Sequence, residues 1–419
     1  MEQFSEMNIR ELSKYTLGSL ALAGLLAGCS SGGSQSGLTP SAVTPANTST
    51  HRTTTNAHMV HMNGASVHGD IVGQKNHRGF GPNVAFTCPQ VSTATGPCLY
   101  VSDLVNNEVQ VYSYANGFVG AEKALLFGFN GPDGICTGKS KAQGTMGKNV
   151  VWIVNNGGSQ IWGYQYGQDS PTYIVNVFDP DPGYIPVGCS LDPKTGDLAV
   201  TDITSTVGGP GNVAIFTPQD QSISNSPPSK VLLAGNIFNY YWLGWDGKGD
   251  LFVDGLDNSG VVPEFAEFAG PNFVSTPITI CGPSPTCPPL NPNPPGVITF
   301  PGSIQYDSET TWMSFGSQGN GATTHSIQYE FQIVGNQAFE KRHTGMYMVS
   351  PPYNTFQDVV EYNLDVKTDR LFAPDDTNLV ESLYQHTDGG GCGTPCYPTV
   401  IVPGLPPFGS AFGTALLRH

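Results

Sequence analysis

The chain has 419 residues, with 17 Lys and Arg against 33 Asp and Glu, and its formal net charge of −16 at pH 7 leaves no basic face for long nucleic acid. Only 12% of it is charged, about half the usual share, and 52 glycines and 34 prolines exclude a coiled coil or a helical array. Hydrophobic residues at 38% and aromatics at 10% suffice to fill a core, which excludes a disordered polymer and leaves a turn-rich, acidic, all-β globule.

At the amino terminus Arg10 and Lys14 precede the apolar run Leu17–Gly28, which ends at Cys29. The run is too short to span a bilayer stably and fits the hydrophobic region of a secretory signal. Leu26-Ala27-Gly28-Cys29 resembles the lipobox of bacterial lipoproteins. That resemblance implies cleavage after Gly28 and acylation of Cys29, with several acyl chains giving a stable membrane anchor. Ser30 rather than Asp at the next position is similar to lipoproteins sorted onward to an outer membrane. Residues 1–28 are therefore expected to be a lipoprotein signal peptide, with Met7 an alternative start.

Residues 29–78 are expected to form a tether. Its Ser/Gly and Thr/Ser/Pro/Ala composition to about residue 56 buries too little apolar area to fold. Five of the nine histidines, His51, His58, His61, His68 and His77, fall at its far end. Without Cys or regularly spaced carboxylates beside them, they read as a polar lead-in more than as a metal site.

From residue 79 onward the chain repeats. Leu191-Asp-Pro-Lys-Thr-Gly-Asp-Leu-Ala-Val-Thr-Asp202 aligns with Leu364-Asp-Val-Lys-Thr-Asp-Arg-Leu-Phe-Ala-Pro-Asp375, and Trp245-Asp-Gly-Lys-Gly-Asp-Leu-Phe-Val-Asp254 is a shorter copy. Each reads as strand, tight polar turn, strand. The second strand recurs as Leu99–Asp103, Val151–Asn155, Leu198–Asp202, Leu251–Asp254, Thr311–Phe315 and Leu371–Asp375, at intervals of 47 to 60 residues. A third strand often follows, as in Glu108–Tyr112, Gln160–Tyr164 and Asn212–Phe216. Short strands with a period near 50 match propeller blades better than a sandwich.

Tyr100-Val-Ser-Asp103-Leu-Val-Asn-Asn107-Glu-Val-Gln-Val-Tyr112 resembles an NHL-type blade, and Pro132-Asp-Gly-Ile-Cys136 and Pro186-Val-Gly-Cys189 are similar to that family's Pro-x-Gly approach to the innermost strand. The resemblance is good in the first four copies and poor across Thr311–Phe331. It implies a six-bladed β-propeller over residues 79–419, with seven blades possible if the longer intervals hide a degenerate one. Gly409–Leu417 and Asn83–Thr87 are the candidates for closing the ring.

Eight cysteines remain after Cys29, an even number suited to disulfides in an exported chain. Cys88–Cys98, Cys281–Cys287 and Cys392–Cys396 are close pairs. By elimination Cys136 pairs with Cys189, a bridge between the inner strands of consecutive blades, or both stay buried thiols. Their spacing does not suit zinc.

Chemistry-bearing candidates are sparse. The residues ending the second strands, Asp103, Asn155, Asp202, Asp254 and Asp375, either ring a channel mouth able to hold Ca²⁺ or cap turns through nearby backbone N–H groups; their recurrence favours capping. Tyr241, Trp242 and Trp245, in Asn239–Trp245, form a platform for a sugar or partner if exposed, and fill the wedge between blades if buried. Glu361 and Asn363 lie on an expected inner strand. Propeller lactonases resembling gluconolactonase use Glu, Asn and Asp around a divalent metal, which makes Glu361, Asn363 and Asp254 metal candidates. Gly-x-Ser-x-Gly and His-Glu-x-x-His are absent from the sequence. His325, His343 and His386 have no matched acid or nucleophile nearby in sequence. The expectation is an exported, lipid-anchored propeller that binds a protein or glycan partner, with the Cys281–Pro301 insert as a recognition loop. No cofactor is expected beyond a divalent cation such as Ca²⁺. The alternative is a metal-dependent lactonase- or lyase-like hydrolase at the channel mouth.

Overall fold

The computed structural model describes Cys88 and residues 96–418, apart from 116–117, 145, 178–183, 206–208, 283–286, 288–297, 319–325, 348–357, 386–392, 403 and 405–406. The signal peptide, Cys29, the tether, Asn83–Thr87, His325, His386, Cys392 and most of the Cys281–Pro301 insert lie outside the described residues.

The strands form six sheets in succession, a six-bladed propeller. Blade one contains β1 (Cys98–Asp103), β2 (Glu108–Ala115) and β3 (Phe118–Leu126). Blade two is β4 (Pro132–Lys139), β5 (Asn149–Asn155), β6 (Gln160–Gln165) and β7 (Tyr173–Asn176), from the axis outward. Blade three is β8 (Tyr184–Leu191), β9 (Leu198–Ser205), β10 (Pro210–Phe216) and β11 (Lys230–Leu232). Blade four is β12 (Asn239–Trp245), β13 (Leu251–Leu256), β14 (Pro263–Ala269) and β15 (Val274–Pro277). After β16 (Thr279–Cys281), blade five is β17 (Pro301–Asp307), β18 (Trp312–Ser317), β19 (Ile327–Val334) and β20 (Gln337–Met346). Blade six is β21 (Asn363–Asp365), β22 (Arg370–Asp375), β23 (Val380–Gln385) and, after β24 (Gly393–Cys396), β25 (Val400–Val402). Strands β16 and β24 add in parallel to the outer edge of β20.

The ring closes through β26 (Ala411–Leu417), which pairs antiparallel with β1 as the innermost strand of blade one. The carboxyl-terminal segment thus supplies one strand and the amino-terminal side three. All six recurrent second strands occupy the second position of a blade.

Both faces of each inner sheet are covered, so the strands read as unbroken apolar runs. In β5, Val151 and Ile153 enter the core shared with blade one, beside Tyr100, Val111 and Trp162. Val150, Trp152 and Val154 enter the core shared with blade three, beside Val200 and Phe216. The Cys88–Cys98, Cys136–Cys189 and Cys281–Cys287 bridges are formed. In the second of these, the Cα atoms of neighbouring inner strands are 5.6 Å apart.

The repeated turn between first and second strands is held by its Asp. Asp192 accepts the Lys194 amide at 2.8 Å and the Thr195 hydroxyl at 2.6 Å, and Asp246 accepts the amides of Lys248, Gly249 and Asp250. Asp365 accepts the Thr368 hydroxyl. Blade five keeps the device in Asp307-Ser-Glu-Thr310, where Asp307 accepts the Glu309 amide and the Thr310 hydroxyl. Blade five thus keeps the turn of the other blades with different residue types.

Candidate functional site

The axis of the ring is where sequence reasoning placed its metal candidates. The ladders between first and second strands are irregular at one level in blades one to five, with shifts at Val101/Asp103, Pro132/Ile135, Pro186/Cys189, Tyr240/Leu243 and Gly302/Ile304. Following the registers around the ring, this level carries Gly413, Gly134, Gly188, Trp242, Ser303 and Glu361 in blades one to six.

Three consecutive blades carry glycine there because the neighbouring blade's backbone comes close and two large side chains lie alongside. A Cβ on Gly413 would stand 2.6 Å from Glu361 Oε2. One on Gly134 would stand 2.4 Å from the Val187 carbonyl and 3.1 Å from the Trp242 ring, and one on Gly188 would stand 3.0 Å from that ring. Trp242 therefore reaches from blade four over blades two and three. Glu361 reaches from blade six, its Oε2 accepting the Thr414 amide of blade one at 3.2 Å and the Ile135 amide of blade two at 3.0 Å.

Small hydroxyls complete the layer. Ser102 Oγ accepts the Gly413 amide at 2.7 Å and donates to the Asp133 carbonyl at 2.8 Å, joining blade one to blade two. Thr201 Oγ1 accepts the Gly188 amide at 3.0 Å and donates to the Tyr241 carbonyl at 2.5 Å, joining three to four. Ser303 Oγ donates to the Tyr362 carbonyl at 3.0 Å, joining five to six. With the Cys136–Cys189 bridge joining two to three, this layer is a cross-linked hub.

Asp254 shares the Ser102 and Thr201 position and accepts the Trp242 amide at 2.8 Å. It is thus one residue out of phase with Asp103, Asp202 and Asp375. Gly255 takes their place, where a Cβ would stand 2.0 Å from the Asn239 carbonyl. Asp103, Asn155 and Asp375 do cap, as does Ser317 in blade five. Each receives the backbone N–H of the segment approaching its own blade's inner strand: Asp103 from Gly409 and Ser410, Asn155 from Asn130, Ser317 from Thr299, Asp375 from Asp358. Asp103 also takes the Asn106 amide, and Asp375 those of Thr377 and Asn378. Asp202 occupies the same position, fully buried, but neither of its carboxyl oxygens has a hydrogen-bond partner among the described residues, so it does not cap.

Burial pushes the carboxyls of Glu361, Asp133, Asp254 and Glu381 well above their ordinary range. For Glu361 the nearby Asp133 and Glu381 push the same way, and the two backbone amides oppose them. The structure does not gather Glu361, Asn363 and Asp254 around one point. Glu361 and Asp254 serve separate amides, and Asn363 is half-buried in β21 opposite Phe372. Among the described residues no group of three or more His, Cys, Asp or Glu is arranged to hold a metal ion.

Tyr241, Trp242 and Trp245 are buried, which fits the wedge-filling alternative rather than an exposed stacking platform. Tyr241 packs edge-on to Phe300, Trp245 edge-on to Phe273, and the Trp245 indole N–H donates to the Ser190 carbonyl. His343 is on β20, against Glu340 at 3.0 Å. Sequence reading missed Ser102, Thr201 and Gly413. Their signal was a small or hydroxyl residue recurring at one offset from the strand end, which is legible only once the register is known.

No family model and no curated protein matches the chain. Among solved structures it is similar to a chain of a nidogen–laminin complex, with 10% identity over 77% of this chain and 98% of that one and a TM-score of 0.49. The periplasmic gluconolactonase of Pseudomonas aeruginosa gives 13% identity over 77% and 99%, with a TM-score of 0.48. A protein of unknown function from Bacteroides caccae gives 11% identity over 78% and 100%, with a TM-score of 0.47.

Proposed function

We propose that this chain is an exported propeller, lipid-anchored at Cys29 to the bacterial cell envelope at an outer membrane, that works as a binding or scaffold module for a protein or glycan partner. The observation that carries this reading is the filled hub. Trp242 and Glu361 lie against Gly413, Gly134 and Gly188, and Glu361 Oε2 accepts two backbone amides. An enzyme of the channel-mouth type needs open coordination positions there. A rigid ring instead leaves recognition to its connecting loops.

The test is a calcium and manganese titration of the oxidised full chain, followed by thermal unfolding. A ligand that binds only the folded state raises the midpoint according to free ion over Kd. The expected result is no shift at millimolar ion. A rise of several degrees that disappears in Glu361→Gln would instead assign a metal-dependent hydrolase centred on Glu361, Asn363 and Asp254, and justify a lactone screen.

A further inference from the structure

The propeller's two faces differ in charge. One carries the crossovers between blades and the turns between second and third strands. None of these twelve connections contains a Lys or Arg. The turns of the opposite face contain Lys141, Lys148, Lys194, Lys248 and Lys367. Lys141 and Lys194 there donate to the carbonyls of Lys194 and Lys248 in the next blades.

On the crossover face, carboxyls converge where blade six meets blade one. Asp103 accepts the Ser410 amide at 3.1 Å, and the Ser410 hydroxyl donates to Asp376. The Asp376 amide donates to the Asp358 carbonyl at 3.0 Å, and the Asp358 amide to Asp375 at 3.3 Å. Glu108, held by Gln110 at 3.0 Å, feels the charge of Asp103. Five carboxyl groups thus form one constellation along the seam.

An independent observation marks Asp358 as incomplete. It is 7% exposed, and its Oδ1 has no hydrogen-bond partner among the described residues. The charges acting on it are Asp376 and Asp375, both of its own sign. Leaving a buried acceptor unmatched is unfavourable, and a cationic donor seated against it would remove that cost. Among the described residues no cluster suits a metal ion. A guanidinium presents five donors in a planar fork and can bridge carboxylates that do not converge on one point.

We propose that the seam of blades six and one on the crossover face docks a partner polypeptide through an arginine side chain seated against Asp358 and Asp376. This names the face and the partner chemistry of the binding-module reading and rests on it.

The test uses fluorescently labelled nona-arginine, titrated by anisotropy into the full chain at low ionic strength. The expected result is saturable binding that weakens with salt, falls at least tenfold in Asp358→Asn, and is unchanged in Glu309→Gln, an exposed residue of the opposite face. Glu108→Gln, at the far end of the constellation, should give an intermediate loss and serves if the first variant misfolds. Equal losses in Asp358→Asn and Glu309→Gln would mean attraction to net charge alone and overturn the proposal. So would millimolar calcium that displaces the peptide while raising the unfolding midpoint, which marks a small-cation site. Absence of peptide binding beside a surface partner whose capture survives Asp358→Asn would remove the seam and leave the binding-module reading standing.

Discussion

Asp358 makes stability depend on pH in the direction opposite to ordinary acid denaturation. Burial, then the charges of Asp376 and Asp375, push its carboxyl to about 8 in the folded chain, against an ordinary value of 3.8. Between those values the unfolded chain has released the proton and the folded chain keeps it, so each pH unit favours unfolding by about 1.4 kcal/mol. From pH 5 to pH 7 this one group costs about 2–3 kcal/mol, and the penalty stops growing above pH 8. Glu108, raised to about 7, and Asp375, raised to about 6, act in the same direction. Urea unfolding of the full chain and of Asp358→Asn at pH 5, 6, 7 and 8 isolates the residue, because asparagine cannot titrate. The variant should gain on the parent steadily from pH 5 to pH 8, by about 2–3 kcal/mol at pH 7 relative to pH 5. A difference between the two chains that stays flat across this range would refute the reasoning, as would one that grows toward acid.

The hub gives three further expectations. Trp242→Ala should cost about 3–5 kcal/mol, because it removes a buried indole packed against Gly134 and Gly188, and the loss reads directly in the denaturation midpoint. Replacing Cys136 and Cys189 together by serine releases a 53-residue loop and should cost about 4 kcal/mol by loop-closure entropy, measured under oxidising conditions. Glu361→Ala leaves the Ile135 and Thr414 amides unmatched and should cost about 2–6 kcal/mol at pH 5, with Glu361→Gln recovering most of it because its carbonyl can still accept.

Much of this architecture is written in local patterns. Asp192-Pro-Lys-Thr195 and Asp365-Val-Lys-Thr368 announce hairpins because a short acidic side chain closes its own turn, and that chemistry needs no tertiary knowledge. Blade count follows from the spacing of such turns. The phase of Asp254 was not legible, because the sequence places an Asp at a strand end without saying which face it takes. A one-residue shift there exchanges a turn cap for a partner of the Trp242 amide. The glycines of Pro132-Asp-Gly134 and Pro186-Val-Gly188 were visible, but their reason was not: it is the close approach of the next blade's inner-strand carbonyls, with the Trp242 ring of blade four beside them. The seam of carboxyls was hidden likewise, since Asp103 and Asp376 meet only through Ser410 after the ring has closed.

Ring closure through β26 also fixes how the molecule is presented. Cys98 pairs with Leu417, and Cys88 is bonded to Cys98, so the first and last strands of the ring leave it side by side on the face opposite the crossovers. The same geometry says where an added sequence would leave the ring: joined after the last strand, it would start on the face opposite the crossovers.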